Sequence, residues 1–179
     1  MLWIDYNISS WLDALADDKP FWSVVALFCA RWLLVLSIGA AILFVLVVLR
    51  FAPPAGLFGG YLLAAVGGSY LFTLLLAYLI RRKRPYEVTP DAEHMSQMIY
   101  TPSFPSGHAT MAFALATTLV LLFSPVIWVA VILYAIASII SLARVVVGVH
   151  YVTDVLAGAI VGVVGSFAFM NLFLLAIAR

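Results

Sequence analysis

Charge is scarce in this chain. Only 9% of its 179 residues are charged, against 66% hydrophobic, and the net charge is +1. A soluble domain is about half apolar and about a quarter charged. A soluble fold could not hide this much apolar surface, so the bilayer is the expected solvent. With so little net charge, no nucleic-acid partner is expected. There is one cysteine, Cys29, which excludes an internal disulfide. It lies in an apolar run and reads as a small buried hydrophobe. No basic stretch precedes the first apolar run, and Asp5, Asp13, Asp17 and Asp18 dominate the N-terminus. A cleavable leader is therefore not expected.

What the chain has instead is long apolar runs. A membrane span needs about 20 mostly apolar residues. Five runs qualify, at about 32–49, 57–80, 106–123, 126–143 and 154–178. Arg50, Pro53 and Pro54 end the first, and Arg81, Arg82, Lys83, Arg84 and Pro85 end the second. The expected fold is all-α: a polytopic membrane helical bundle of five to six transmembrane helices with N-terminal interfacial helices. Residues 1–31 read as the amphipathic interfacial segment, and 32–179 as the membrane-embedded domain. Trp3, Trp11, Trp22 and Trp32 interleave there with acids, and indole favours the headgroup region. An interfacial Arg31 is preferred to one at membrane depth, because a mid-bilayer arginine is costly. Gly158, Gly162 and Gly165 stand at helical spacing and imply close helix packing.

The few polar groups are concentrated. With five spans, Arg81, Arg82, Lys83, Arg84, Arg144, His108, His150 and Asp154 all fall at span ends on one side. Ionisable groups at a membrane edge are costly, so their convergence marks a functional site. Taken singly, the basic run is a topology or headgroup signal, and each histidine is a buried helix residue. Together they form three pieces: Arg84-Pro85, then Pro105-Ser106-Gly107-His108, then Arg144 with His150 and Asp154. Phosphoryl transfer needs neutralised oxygens, an in-line nucleophile and a proton for the leaving oxygen. Arg84 and Arg144 offer planar forks for phosphate. Ser106 and Gly107 open a helix, whose backbone N–H groups can hold an anion. His150 and Asp154 are one helical turn apart, and a carboxylate on one imidazole nitrogen frees the other for attack. His108 has no nearby acid in sequence and is the expected proton donor. No acid–histidine group stands at metal-ligand spacing, so neither metal nor cofactor is expected.

These residues resemble the type 2 phosphatidic acid phosphatase superfamily, which also includes soluble vanadium haloperoxidases. Its signature runs Lys, Arg-Pro seven residues on, then Pro-Ser-Gly-His, then Ser-Arg, His after five residues and Asp after three more. The match covers residues 77 to 154 and departs twice, at Ala77 for the lysine and Ala143 for the serine. Arg81, three before Arg84, is the expected replacement for the lysine, and Lys83 the second choice.

The resemblance implies a metal-independent lipid phosphatase with a phosphohistidine at His150, steadied by Asp154, and His108 as acid. Phosphate binding would fall to Arg84, Arg144, Ser106, Gly107 and Arg81 or Lys83. The implied partners are a lipid phosphate and the bilayer, with no obligatory protein partner. Undecaprenyl diphosphate is the first expectation for the substrate, with phosphatidylglycerophosphate, phosphatidic acid or lipid A phosphate as alternatives. A non-catalytic lipid binder or transporter is the different-class alternative. The resemblance implies a bacterial inner membrane; with five spans, Arg50 and Arg179 fall on the side opposite the site and the four N-terminal aspartates on the site's side, so the site is expected to face outward. The loop 86–100, with Glu87, Asp91, Glu93 and His94, is expected to border the entry.

Overall fold

A computed structural model describes residues 5, 20–51, 55–87, 101–124 and 126–177. Every regular element among them is helical. α1 (Pro20–Phe28) continues through a π-helical turn (Cys29–Leu33) into α2 (Leu34–Phe51). α3 (Ala55–Ile80), α4 (Gly107–Phe123), α5 (Ile127–Val146) and α6 (Val152–Ile177) follow, with a 3-10 turn at Pro85–Glu87. Among the described residues, four helical stretches are long and apolar enough to cross a membrane, and Gly107–Phe123 is a shorter apolar helix. At 17 residues α4 is about 25 Å long. It can be short because it is the central helix, packed against α3, α5 and α6.

The surface is inverted relative to a soluble protein. Leu63, Leu79 and Ile160 are 64–76% exposed, while Ala65, Ala109, Ala114 and Ala116 are buried. Lipid is as apolar as leucine, so helices associate through close packing of small residues. The most extensive contact joins α4 to α6. A Cβ at Gly158 would stand 2.5 Å from the Ser106 carbonyl oxygen, and one at Gly162 would meet the Thr110 carbonyl and the Ala114 nitrogen. The expected packing role of these glycines is therefore observed. It seats the start of α4 beside the start of α6.

The first span differs from expectation. The helix does not break at residue 31: Phe28 and Leu34, on either side of the π-turn, are both right-handed helical. Residues 20–31 thus continue the first span instead of forming a separate interfacial segment. The apolar run VVALF (24–28) has no capping or turn residue that would stop the helix. Arg31 is exposed and Cys29 half-buried. Apart from Asp5, the interfacial reading of residues 1–19 lies outside the described residues.

Candidate active site

Four chain segments meet at one end of the bundle. α3 stops because Arg81 turns left-handed, with φ 50°, while its N–H still bonds the Ala77 carbonyl at 2.9 Å. This terminates the helix as an αL cap. The next residues run back across the bundle end. The Arg82 carbonyl accepts from the Ser103 N–H at 2.8 Å, and the Lys83 carbonyl accepts from the Ser103 hydroxyl at 3.1 Å. Arg84 is thereby buried. Its Nε donates to the Thr101 carbonyl at 2.9 Å, Nη2 to Thr101 Oγ1 at 2.8 Å and Nη1 to the Val149 carbonyl at 3.2 Å.

Gly148, at φ 67°, lets the chain reverse after α5 and carries it from Arg144 to His150. The backbone N–H groups of Val149 and His150 both reach the Arg144 carbonyl, at 3.2 Å. Arg144 is buried, and its Nη1 donates to the Ala30 carbonyl at 3.1 Å. Ala30 lies in the π-turn, so the first span helps orient an arginine of α5. π-turns are frequent at functional sites because they re-aim backbone groups.

His150 is 3% exposed, and its Nδ1 lies 2.8 Å from the Ser103 carbonyl oxygen. A carbonyl can only accept, so Nδ1 carries the proton and Nε2 keeps its lone pair. The Asp154 carboxylate is farther away, with Oδ2 at 3.6 Å. That is too long for a hydrogen bond, and it becomes an ion pair only when His150 is protonated. Asp154 Oδ2 instead accepts from the Tyr151 N–H at 2.9 Å, the carboxylate half of a capping box at the start of α6. The tautomer is thus set by the Ser103 carbonyl, not by Asp154 as expected, and the Asp154 carboxylate lies beside the ring. Burial lowers the His150 pKa from 6.5 to about 4; Arg84 and Arg144 push the same way and Asp154 opposes them. His150 is accordingly neutral near pH 7. His108 lies within electrostatic reach of Arg144, His150 and Arg84.

Four buried side-chain polar atoms have no partner among the described residues, and two of them belong to the gathered residues, Ser106 Oγ and Arg144 Nε; the others are Ser69 Oγ and Ser141 Oγ. Buried donors left unsatisfied are costly, so they suit a site that an anion completes. The Ser106 N–H, expected to be free for an anion, instead donates to the Asp154 carbonyl at 3.0 Å. Gly107 is half-buried against Tyr70, where a Cβ would come within 2.8 Å of the ring.

The structure therefore gathers His150, His108, Asp154, Arg84, Arg144, Ser106 and Gly107. It does not gather Arg81 or Lys83. Arg81 is exposed with its Nε on the Tyr78 carbonyl at 3.0 Å, and Lys83 is exposed. Arg81 would share a face with Arg84 only on a helix that ran on to Arg84, and α3 ends at Ile80. Ala77 is buried and 4% exposed. In the sequence Arg82 is only one of a basic run. It bonds Asp154 Oδ1 at 2.6 Å. Asp5, Ser103 and Thr153 also carry contacts at the site that no motif announces. Of the loop 86–100, residues 88–100 lie outside the described residues.

A family model described as the PAP2 superfamily matches residues 58–177. This chain belongs to the PAP2 superfamily. The matched stretch contains every residue gathered at the site from Arg84 to Asp154, and the resemblance read from the motifs agrees with it. Among curated PAP2-like relatives, lipid A 1-phosphatase of Rhizobium etli is 38% identical over 112 residues. That match takes in 58% of this chain and 45% of the relative, so the chain spans less than half of the relative's length. Among solved structures, LpxE of Aquifex aeolicus superposes with a TM-score of 0.76 at 21% identity, over 95% of this chain and 96% of that one. A PAP2-type phosphatidylglycerolphosphate phosphatase from Bacillus subtilis gives 0.52 at 24% identity, over 93% and 92%. At such identities these structures establish the shared helical membrane fold.

Proposed function

We propose that this protein is a membrane lipid-phosphate phosphatase that works through a phosphohistidine on His150. One observation carries the reading: a neutral His150, its Nδ1 proton held by the Ser103 carbonyl at 2.8 Å, stands among His108, Arg84 and Arg144. Nε2 attacks phosphorus as the bond to the leaving oxygen breaks, and His108 donates the proton to that oxygen. Asp154 offsets the positive charge that develops on His150. Arg84, Arg144 Nε and Ser106 Oγ bind the phosphoryl oxygens. His108 then takes a proton from the water that attacks the phosphohistidine, which releases phosphate and restores His150.

The curated relative's name favours a lipid A 1-phosphate as substrate. Phosphatidylglycerophosphate follows, from the Bacillus neighbour. Undecaprenyl diphosphate, the first expectation from the sequence, has less support than these alternatives. The proposed location is a bacterial inner membrane with the site facing outward, since Arg50 ends the first apolar run on the side opposite the site.

The test is phosphate release by purified protein from lipid A, phosphatidylglycerophosphate, phosphatidic acid and undecaprenyl diphosphate. Lipid A 1-phosphate is expected to turn over fastest, and His150→Ala to abolish release. Full activity in His150→Ala would overturn the nucleophile. Lipid binding without hydrolysis by the unaltered protein would return the chain to the non-catalytic class.

A further inference from the structure

The least expected feature of the site is a buried carboxylate from far along the chain. Asp5 is fully buried. Its Oδ2 lies 2.6 Å from Arg82 Nη2, while Arg82 Nη1 lies 2.6 Å from Asp154 Oδ1. Thr153 cross-links the same groups. Its hydroxyl accepts from Arg82 at 2.7 Å and donates to Asp5 Oδ2 at 3.0 Å, and its N–H donates to Asp5 Oδ1 at 3.2 Å. The guanidinium is set over the Tyr151 ring, 4.2 Å from the centroid. The order of charges is therefore Asp5, Arg82, Asp154, then His150.

That order has a chemical consequence. Arg82 is bonded to the carboxylate that must balance positive charge on His150. Left alone, Arg82 would neutralise Asp154 where its charge is needed. A second carboxylate on the far side of Arg82 offsets the guanidinium and leaves Asp154 effective. Buried ion pairs add little stability over apolar packing, because desolvation costs about as much as attraction returns. The arrangement is thus better explained by what it does to Asp154 than by stability.

We propose that Asp5 is a positioning residue. Acting through Arg82, it holds Asp154 in place and keeps it available as the counter-charge of His150. The proposal rests on the reading of His150 as the nucleophile. The charged groups facing His150 are His108 from α4, Arg84 from the segment after α3, Arg144 from α5 and Asp154 from α6. Asp5 and Arg82 reach it only through Asp154.

The experiment uses the full chain with D5N, D5E, R82M and the double variant D5N/R82M. Two readouts are taken: kcat and KM for lipid phosphate, and the titration midpoint of 15N-labelled His150 by NMR. D5N leaves Arg82 unbalanced, so the His150 midpoint should fall; R82M removes the cation, so it should rise. In D5N, kcat should drop about tenfold with KM within about twofold, a coupling of ordinary size for one network. D5E should restore part of the loss. D5N/R82M should be faster than D5N, with its midpoint back near the unaltered value. A midpoint and kcat in D5N indistinguishable from the unaltered protein would overturn the proposal, as would a double variant whose loss is the product of the single losses. Should D5N not fold, the direction of the R82M midpoint decides, and a fall or no change there rejects the relay. If the unaltered protein releases no phosphate from any lipid, the phosphatase reading alone has failed, and the midpoints still test the relay.

Discussion

The Nδ1 atom of His150 meets the carbonyl oxygen of Ser103 at 2.8 Å, closer than the 3.6 Å to Asp154. A backbone carbonyl cannot be titrated away, so the Nδ1–H tautomer should persist across the working pH range. In 15N NMR the neutral His150 ring should show a protonated Nδ1 and a bare Nε2. The opposite tautomer would remove the proposed nucleophilic atom.

Acid should destabilise the protein before it inactivates it. The folded-state pKa of His150 is about 4, below its ordinary 6.5. Between those values the unfolded chain binds more protons than the folded one, so stability falls as pH drops from about 6.5 to about 4 and is flat below that for this group. Melting temperature measured across this window should decline with acid, and His150→Gln should flatten the decline. Activity of the free enzyme should fall as pH passes down through about 4.

Asp154→Asn keeps an acceptor for the Tyr151 N–H but removes the charge facing His150. The kcat should fall on the order of a hundredfold or more, as when a histidine loses its acid partner. The melting temperature should change less than for Asp154→Ala, which also loses the cap. Comparable activity in the asparagine variant would remove Asp154 from the chemistry.

Arg84 and Arg81 should separate cleanly. Arg84→Ala loses three hydrogen bonds that fix the loop at Thr101 and Val149, and with them the proposed phosphate contact. A loss of about 10²–10³ in kcat/KM is expected for one such donor. Arg81→Ala should stay within about twofold, because an exposed side chain away from the site contributes little. The reverse order would mean that Arg81 reaches the phosphate.

Gly162→Ala places a methyl against α4 backbone. Backbone cannot yield as a side-chain tip can, so the crossing must open at a cost of about 1–3 kcal/mol. Thermal melts should show this loss. Activity should fall with it, since the same crossing holds Ser106 against Asp154.

Much of this protein was legible from spacing alone. The apolar runs located α3 to α6 to within a few residues, because bilayer thickness dictates their length. Arg84, Ser106, His108, Arg144, His150 and Asp154 stood out because chemistry-bearing residues are rare against an apolar background. Topology then put them at one end, since alternating spans must deliver their ends to alternating sides. The substrate was not legible, because the motifs imply a phosphoryl group and say nothing of the lipid that carries it.

Other features were decided only in three dimensions. Arg81 looked in register with Arg84 on a helix that the left-handed Arg81 in fact ends. Ser103, a loop serine, matters through its carbonyl, which every residue possesses and no motif can reveal. Ala30 aims Arg144 through a π-turn, and Asp5 balances Arg82 across 77 positions of chain. Sequence determined the solvent, the spans and the reactive groups, because those follow from composition and period. Tertiary structure decided which donor meets which acceptor, because hydrogen bonds depend on ångström-scale distance and angle between segments remote in the chain.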